Sequence, residues 1–539
     1  MKAFIEKHTS GIVLALIILA AGFAVYAALL STPFGPAFGS DSVTYMESAR
    51  NFVAGRGLGL INPDGSFRLL PYAPPLFPLV LSIFALLRID LISSAFWMNI
   101  LLYGVTIFLL SWGVWRYFRS ALAAILLAAL MALSVVLIEL YGWIMSDALC
   151  LALGVGSLLT LLAYLRNGSR ESFFWSAILA GLAFLTRYAG VAYCITGAMG
   201  VILFGSKPLK KRLVAGSLYG LVSILPNLGW LAIELPMAGA VGSRSLLPLS
   251  ELLPGSIEVL RSLKEAIYLW VPYFLPLSQS IGQVAFRLLY GGLLVIILVA
   301  VVFAFRKLRR NDPADWRWSS AYIPGGIILL FLAVYLVVLI PSYALIYPHL
   351  SLGNRMFAPI NVALLVLVSL VIGLLFRAYR AWLPRIVTLT LAVVLVAAFI
   401  GGAREGSARF RLYPPGYAGF NGTDFVTYLQ TLPADIPLIS DKATLVLHYT
   451  GRPAYAIQEF FSVEGQSEFL PYGSDPQDEA QRAFREQGGA LILTRLVQTE
   501  FTGLYGELAD ERYAAFVDGL YLAYNSPDGK VYYFQPPTR

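Results

Sequence analysis

The chain is poor in charged residues. Of its 539 residues only 13% are Asp, Glu, Lys or Arg, whereas 58% are hydrophobic, and the mean hydropathy is +0.72. A soluble domain of this composition has too few polar groups to cover its surface. The sequence therefore excludes an ordinary soluble protein and predicts an integral membrane protein.

Cysteine and histidine are also scarce, with two and three residues. Cys150 and Cys194 lie inside apolar segments, which favours a packing role over a disulfide bond or a metal site. No His and Cys spacing indicates a zinc site, and no Walker-type glycine loop occurs. The net charge of +8 comes from short basic clusters between apolar runs, where such clusters set membrane topology. We therefore predict no nucleic-acid partner.

Apolar runs of about 20 residues recur through residues 1–402, and each can cross about 30 Å of hydrocarbon as a helix. They predict a polytopic α-helical protein with about eleven spans plus a Pro-rich half-helix. The predicted spans are Gly11–Leu30, Phe96–Trp115, Ala121–Ile138, Ala148–Leu165, two short helices within Phe173–Phe204 that break at TRYAG, Leu213–Leu235, Val284–Phe305, Tyr322–Ile340, Phe357–Phe376 and Ile386–Gly402.

The basic clusters predict the orientation of these spans. Lys2 and Lys7 place the N-terminus in the cytoplasm, so the loop over residues 31–75 lies on the extracytoplasmic side. If the Pro-rich segment Leu76–Leu87 does not span, every later basic cluster falls in the cytoplasm. The sequence leaves open whether this segment spans. The protein is thus predicted to be a multi-pass protein of the plasma or inner membrane.

Residues 403–539 have a different composition, with charged and turn residues throughout. PLISD, ALILTR and LYLAYNSPDGKVYYFQ predict strands, and Asp424–Leu432 and Glu479–Gln487 predict helices. These residues predict an extracytoplasmic α/β domain that is large enough for its own core.

Asp41 is the first candidate for chemistry, because it follows a long apolar run in FGSDSVTYMESARNFVAGRGLG. Together with Ser40 it can cap a helix that begins near Val43. It also shares a helix face with Tyr45 and Ser48, a face that we expect to look into the mouth of the bundle. Asp41 can therefore both cap the helix and react.

Further ionisable residues lie at the outer ends of predicted spans. Asp147 in WIMSDAL is the second candidate acid, with helix capping and the nearby Glu139 as competing interpretations. Arg187 in FLTRY and Arg355 in NRMFAP are candidates for anion binding, and the alternative for each is an interfacial anchor. Charged groups at such depth are costly, which favours function. His349 precedes Arg355 and is a weaker candidate.

Taken in order, SDSVTYMESARNFVAGRGL, YAPPLFPL, MSDAL, LTRYAG and NRMFAP resemble the GT-C membrane glycosyltransferases. The resemblance covers roughly residues 1–405 and is to the bacterial branch related to protein O-mannosyltransferases and to the aminoarabinose transferase acting on lipid A. It implies a catalytic acid at Asp41, a supporting acid at Asp147, and phosphate-binding residues at Arg187 and Arg355. The family often has Glu at the second acid position.

The resemblance implies transfer of a sugar from a polyprenyl-phosphate-linked donor to a hydroxyl group of a protein, lipid or glycan at the outer membrane face. In-line attack opposite the leaving phosphate predicts inversion. Tyr45, Arg56 and His349 are further candidates for substrate contact. No cofactor is implied, although two carboxylates are compatible with a divalent cation. One alternative is a non-catalytic polyprenyl-lipid carrier or flippase, which would need the arginines but not Asp41. Another is a structural subunit whose soluble domain recruits partners.

Overall fold

A computed structural model describes residues 2–70, 73–237, 245–270, 299–304, 306–307, 310, 316–319, 321–347, 352–379, 381–412, 416–457 and 479–536. The chain divides into two units. The membrane unit comprises Met1–Pro36, Tyr72–Val80 and Asp90–Tyr413. The C-terminal unit comprises Ala37–Pro71, Leu81–Ile89 and Pro414–Arg539, so it includes most of the first loop.

The membrane unit is helical in its described part. Its helices are α1 Lys2–Ser31, α4 Leu91–Phe118, α5 Ala121–Ala132, α6 Val135–Gly142, α7 Asp147–Asn167, α8 Arg170–Thr186, α9 Val191–Phe204, α10 Leu209–Met237, α11 Leu252–Trp270, α12 Trp316–Ser319, α13 Tyr322–Ala344, α14 Asn354–Ala378 and α15 Trp382–Leu412. The two-residue strands β3 Ser245–Leu246 and β4 Ile346–Tyr347 form a short antiparallel pair. Helix α3, Leu76–Leu86, is divided between the two units.

Seven helices of the described chain are long and apolar enough to cross a membrane, and α5 with α6 makes an eighth if this pair, bent by 55°, is one span. The predicted polytopic helical architecture is therefore confirmed. The break at TRYAG is also confirmed, because α8 ends at Thr186 and α9 begins at Val191. The count of about eleven stays a prediction, since the predicted span Val284–Phe305 lies mostly outside the described residues.

The ends of several helices differ from the predicted spans. Helix α1 begins at Lys2 rather than Gly11, and α15 continues to Leu412, beyond the predicted end at Gly402. The Pro-rich segment forms the 11-residue helix α3. A helix of that length rises about 16 Å, roughly half the hydrocarbon thickness, which agrees with the predicted half-helix.

Helix α1 illustrates how the spans pack. Its buried residues recur every three or four positions, as in Val13, Ile17, Ala21, Ala24 and Ala28, which places them on one stripe of the helix. The opposite side exposes residues that are equally apolar, such as Leu19, which is 67% exposed. An apolar exterior is the arrangement expected of a helix that faces lipid on one side.

The C-terminal unit contains a five-stranded mixed sheet in the order β6-β5-β7-β9-β8. β5 is parallel to β6 and β7, and β9 is antiparallel to β7 and β8. The strands are β5 Leu438–Ser440, β6 Tyr455–Ala456, β7 Ala490–Thr494, β8 Tyr521–Ser526 and β9 Gly529–Tyr533, and the helices are α16 Asp424–Thr431, α17 Ala443–Thr450, α18 Glu479–Arg485, α19 Val497–Tyr505 and α20 Ala509–Val517. The predicted strands and the predicted hairpin are confirmed.

The first-loop part of this unit begins with helix α2, Ser40–Val53, which starts three residues before the predicted Val43. Strands β1 Gly59–Ile61 and β2 Phe67–Leu69 follow as an antiparallel pair. Helix α2 packs against α17. The residues around Asp41 therefore share a unit with the C-terminal sheet.

Candidate functional site

Three of the predicted residues meet in the membrane unit. Nη1 of Arg187 lies 2.5 Å from Oδ2 of Asp147, and Nε of Arg355 lies 2.8 Å from the same oxygen. The Asp147 side chain is only 9% exposed, whereas those of Arg187 and Arg355 are 17% and 33% exposed. One carboxylate thus accepts hydrogen bonds from two guanidinium groups that are 40 and 208 residues away in sequence.

Helix ends supply all three side chains of this Asp147 cluster, which we define as Asp147, Arg187 and Arg355. Asp147 begins α7, Arg187 follows the last residue of α8, and Arg355 is the second residue of α14. The short turn after Arg187 requires glycine at position 190, because a Cβ there would lie 2.3 Å from the carbonyl oxygen of Ala183. Such a contact is with backbone and cannot be relieved by a side-chain rotation.

A small cavity adjoins the Asp147 cluster, with about 20 Å³ of free space. Its lining also includes Leu140, Cys150, Tyr193 and Tyr335. This space holds one water-sized group and is far smaller than the roughly 300–1,000 Å³ of a ligand pocket. A larger anion therefore does not fit inside this cavity.

The charge of the cluster favours an anion. Two guanidinium groups and one carboxylate leave one positive charge, in a place lined mainly by apolar and aromatic side chains. Each guanidinium has five N–H donors in a planar fork, more than the contact with Asp147 uses. Arg187 Nη2 also contacts the sulfur of Met356 at 3.5 Å. The arrangement is suited to the planar, charge-assisted recognition of phosphate or carboxylate.

A second polar chain runs beside Arg355. The amide of Asn354 donates to Glu139 at 3.1 Å, and the indole N–H of Trp270 donates to Asn354 at 3.2 Å. Elsewhere in the unit, the Tyr188 hydroxyl donates to Glu234 at 2.9 Å. The sequence analysis considered Glu139 but missed Asn354 and Glu234. Glu234 is an acid within an apolar helix, which is the signal that would have identified it.

Asp41 lies in the C-terminal unit, in the first turn of α2, and is exposed. A carboxylate there is stabilised by the positive end of the helix. The helix start is closed by a hydrogen bond of 3.1 Å from the Gly39 backbone N–H to the Ser42 hydroxyl. Tyr45 and Ser48, which were predicted to share the face of Asp41, are 5% and 0% exposed. Asp41 is therefore the accessible group on that face.

Arg56 and His349 were the other residues predicted to contact substrate. Arg56 is exposed after the end of α2, and its guanidinium donates to the Asn51 side chain at 3.4 Å. The Asn51 amide in turn donates to the carbonyl oxygen of Gly59 at 2.8 Å, which ties α2 to β1. Arg56 and Asn51 thus both contribute to the local fold. His349 lies outside the described residues.

The two cysteines form no bond with each other. Cys150 and Cys194 are free and buried, as expected for packing residues. Within the described ranges, no three His, Cys, Asp or Glu side chains form a group that could hold a metal ion.

Comparisons with known proteins extend these observations. A family model for dolichyl-phosphate-mannose-protein mannosyltransferase matches residues 72–230. The fold is similar to that of ArnT from Cupriavidus metallidurans in the apo state, with a TM-score of 0.52 and 15% identity over 96% of this chain and 97% of that chain. The same protein bound to undecaprenyl phosphate matches with a TM-score of 0.52 and 14% identity over the same shares.

A further similar structure is the Archaeoglobus fulgidus oligosaccharyltransferase in complex with zinc and sulfate. Its TM-score is 0.56 with 13% identity, and the match covers 96% of this chain and 73% of that chain. No curated protein matches the sequence. The resemblance predicted from the sequence is confirmed: the chain has a fold similar to those of ArnT and the archaeal oligosaccharyltransferase and resembles the GT-C membrane glycosyltransferases.

Proposed function

We propose that the chain transfers a sugar from a polyprenyl-phosphate-linked donor to a hydroxyl acceptor at the outer face of the membrane. The observation that carries this proposal is the pairing of Arg187 and Arg355 on one buried carboxylate. It stands in a fold similar to that of a protein solved with undecaprenyl phosphate. Two arginines at one buried point are a costly arrangement, which favours a role in anion binding.

Arg187 and Arg355 would hold the phosphate of the donor. Because the free space beside them is about 20 Å³, the phosphate would replace part of the contact with Asp147 rather than fill an existing pocket. Asp147 would then be a positioning residue, since its carboxylate sets where both guanidinium groups lie. The phosphate would meet guanidinium donors that are already partly desolvated, which strengthens the interaction.

Asp41 would act as the general base. Its carboxylate would take the proton of the acceptor hydroxyl while the acceptor oxygen bonds to the anomeric carbon. The bond from the anomeric carbon to the phosphate oxygen would break, and the phosphate would leave as an anion stabilised by arginine. No general acid is needed for that leaving group. Attack opposite the leaving group predicts inversion at the anomeric carbon.

A transfer assay with variants of Arg355 tests this proposal. The purified chain is placed in liposomes with a radiolabelled undecaprenyl-phosphate-linked sugar, and transfer to extracted envelope lipids and to peptides is measured. Arg355→Ala removes a hydrogen bond to a charged group, which is worth about 1.5–3 kcal/mol. The donor concentration for half-maximal rate should therefore rise roughly 10-fold to 150-fold, and Arg355→Lys should restore part of it.

Arg261 provides a matched control. It pairs with Glu258 on α11 with 60% exposure of its side chain, so Arg261→Ala should leave the donor dependence unchanged. An unchanged dependence in Arg355→Ala would refute the phosphate contact. Movement of labelled lipid across the bilayer without any sugar transfer would instead support the carrier or flippase. Titration with EDTA in the same assay determines whether a divalent cation is required.

A further inference from the structure

The residues before helix α2 contact the last segment of the same unit, Pro414–Arg539, which we call the C-terminal domain. Phe38, three residues before Asp41, is 2% exposed. Its carbonyl oxygen accepts a hydrogen bond of 2.8 Å from the backbone N–H of Tyr417, and Phe38 and Gly416 form an isolated parallel bridge. The chain before Asp41 is therefore paired with the chain that enters the C-terminal domain.

Two rings of the C-terminal domain also enclose the Phe38 side chain. The Tyr417 ring lies edge-on at 6.2 Å between centroids, and the His448 ring lies at 4.8 Å with an interplanar angle of 61°. Edge-to-face ring pairs at these distances stabilise beyond the burial of their area. We define Phe38, Tyr417 and His448 as the aromatic clamp.

The clamp is itself fixed within the C-terminal domain. The Tyr417 hydroxyl bonds to the Thr444 hydroxyl at 3.0 Å, and the Tyr449 hydroxyl donates to the Tyr417 carbonyl oxygen at 2.7 Å. Gly416 has a φ of +67°, a conformation in which a side chain would be strained. Helix α17, which carries His448, packs along α2. The clamp thus links a hydrogen-bonded part of the domain to the start of the helix that bears Asp41.

We propose that the C-terminal domain fixes the position of the Asp41 carboxylate. Phe38, Tyr417 and His448 are the positioning residues. The inference rests on the proposed function. The helix start follows directly on Phe38 and Gly39, so the contacts that hold Phe38 also set the direction of the helix. The carboxylate at its first turn moves with it, and a displacement of about 1 Å can cost about 100-fold in rate.

Two substitutions test the clamp. Phe38→Ala removes the enclosed ring. His448→Ala removes one of the two rings that contact Phe38 and leaves the hydrogen bond from the Tyr417 N–H to the Phe38 carbonyl oxygen intact. Both should lower the transfer rate at saturating donor about 10-fold or more. The donor concentration for half-maximal rate should change less than about twofold, since the arginines that would bind phosphate belong to the membrane unit. Phe38→Leu, which refills most of the volume, should restore much of the rate.

Leu491→Ala is the matched control, because Leu491 is 0% exposed in the sheet core and is not part of the clamp. It should lower the unfolding temperature of the domain as much as Phe38→Ala while keeping the rate of the folded protein near that of the wild type. If Phe38→Ala and His448→Ala keep the wild-type rate while Asp41→Asn is inactive, the clamp is refuted and the proposed function stands. If Asp41→Asn itself is active, the proposed base is refuted.

Discussion

The burial of the Asp147 cluster predicts how much stability is lost when its carboxylate is neutralised. Replacing Asp147 with Asn keeps the shape of the side chain but removes its charge. Arg187 and Arg355, both bonded to Oδ2, would then share a neutral acceptor in place of a counter-ion. Asp147→Asn should therefore destabilise the membrane unit, and the loss should depend on the presence of the arginines.

The magnitude follows from the exposures. Removing one partner of a buried ion pair costs about 3–5 kcal/mol. The Arg355 side chain is 33% exposed and that of Arg187 is 17% exposed, so water screens part of the cost. We expect the free energy of unfolding to fall by about 3 kcal/mol in Asp147→Asn. In a double-mutant cycle with Arg187→Gln, the coupling should be about 1–2 kcal/mol.

The assay is denaturant unfolding of the purified chain in detergent micelles, followed by tryptophan fluorescence, for the wild type, both single variants and the double variant. The pair Arg261 and Glu258 serves as the control cycle, because its side chains are 60% and 43% exposed. Its coupling should stay below about 0.5 kcal/mol. Additive effects within about 0.3 kcal/mol for Asp147 and Arg187 would refute the cluster as a single electrostatic unit.

Two further predictions concern the C-terminal domain and the topology. Burial raises the pKa of Asp441 to about 6 against hydrogen bonds from Thr494, so the folded carboxyl holds its proton more tightly than the unfolded one. The free energy of unfolding should thus fall by about 3 kcal/mol as pH rises from about 4 to about 6. Thermal melts of Asp441→Asn at several pH values should lack this fall. If the variant keeps the pH dependence of the wild type, the prediction is wrong. Both native thiols are buried, so an impermeant maleimide should react only with an introduced cysteine. Applied to intact cells, it should label Glu511→Cys but not Lys207→Cys. The reverse result would overturn the predicted orientation.

Much of the membrane unit could be predicted because its spans depend on local composition. The break after Arg187 was visible in LTRYAG, since an arginine and a glycine interrupt an apolar run. The bend between α5 and α6 was missed, because Ser134, which is the N-cap of α6 and a preferred capping residue type, lies inside a continuous apolar run. The start of α2 at Ser40 was also missed, since its N-cap is Gly39, which has no side chain that could signal a cap.

The candidate site was predicted by residue type and only partly by arrangement. The cost of charges within apolar runs indicated Asp147, Arg187 and Arg355. Their shared use of one carboxylate oxygen depends on helix ends that lie far apart in sequence, so no local pattern indicates it. The link from Phe38 to Tyr417 spans 379 residues, and neither neighbourhood contains a signal for the other. Long-range pairing of this kind is a property of the fold.

We propose Asp41 as the general base of a sugar transfer for which Arg187 and Arg355 bind the donor phosphate. The direct measurement is the single-turnover transfer rate of Asp41→Asn with a labelled polyprenyl-phosphate sugar, together with binding of undecaprenyl phosphate to the same variant. The proposal predicts a rate about 100-fold to 10,000-fold lower with unchanged lipid binding. Transfer at a near-normal rate would contradict it.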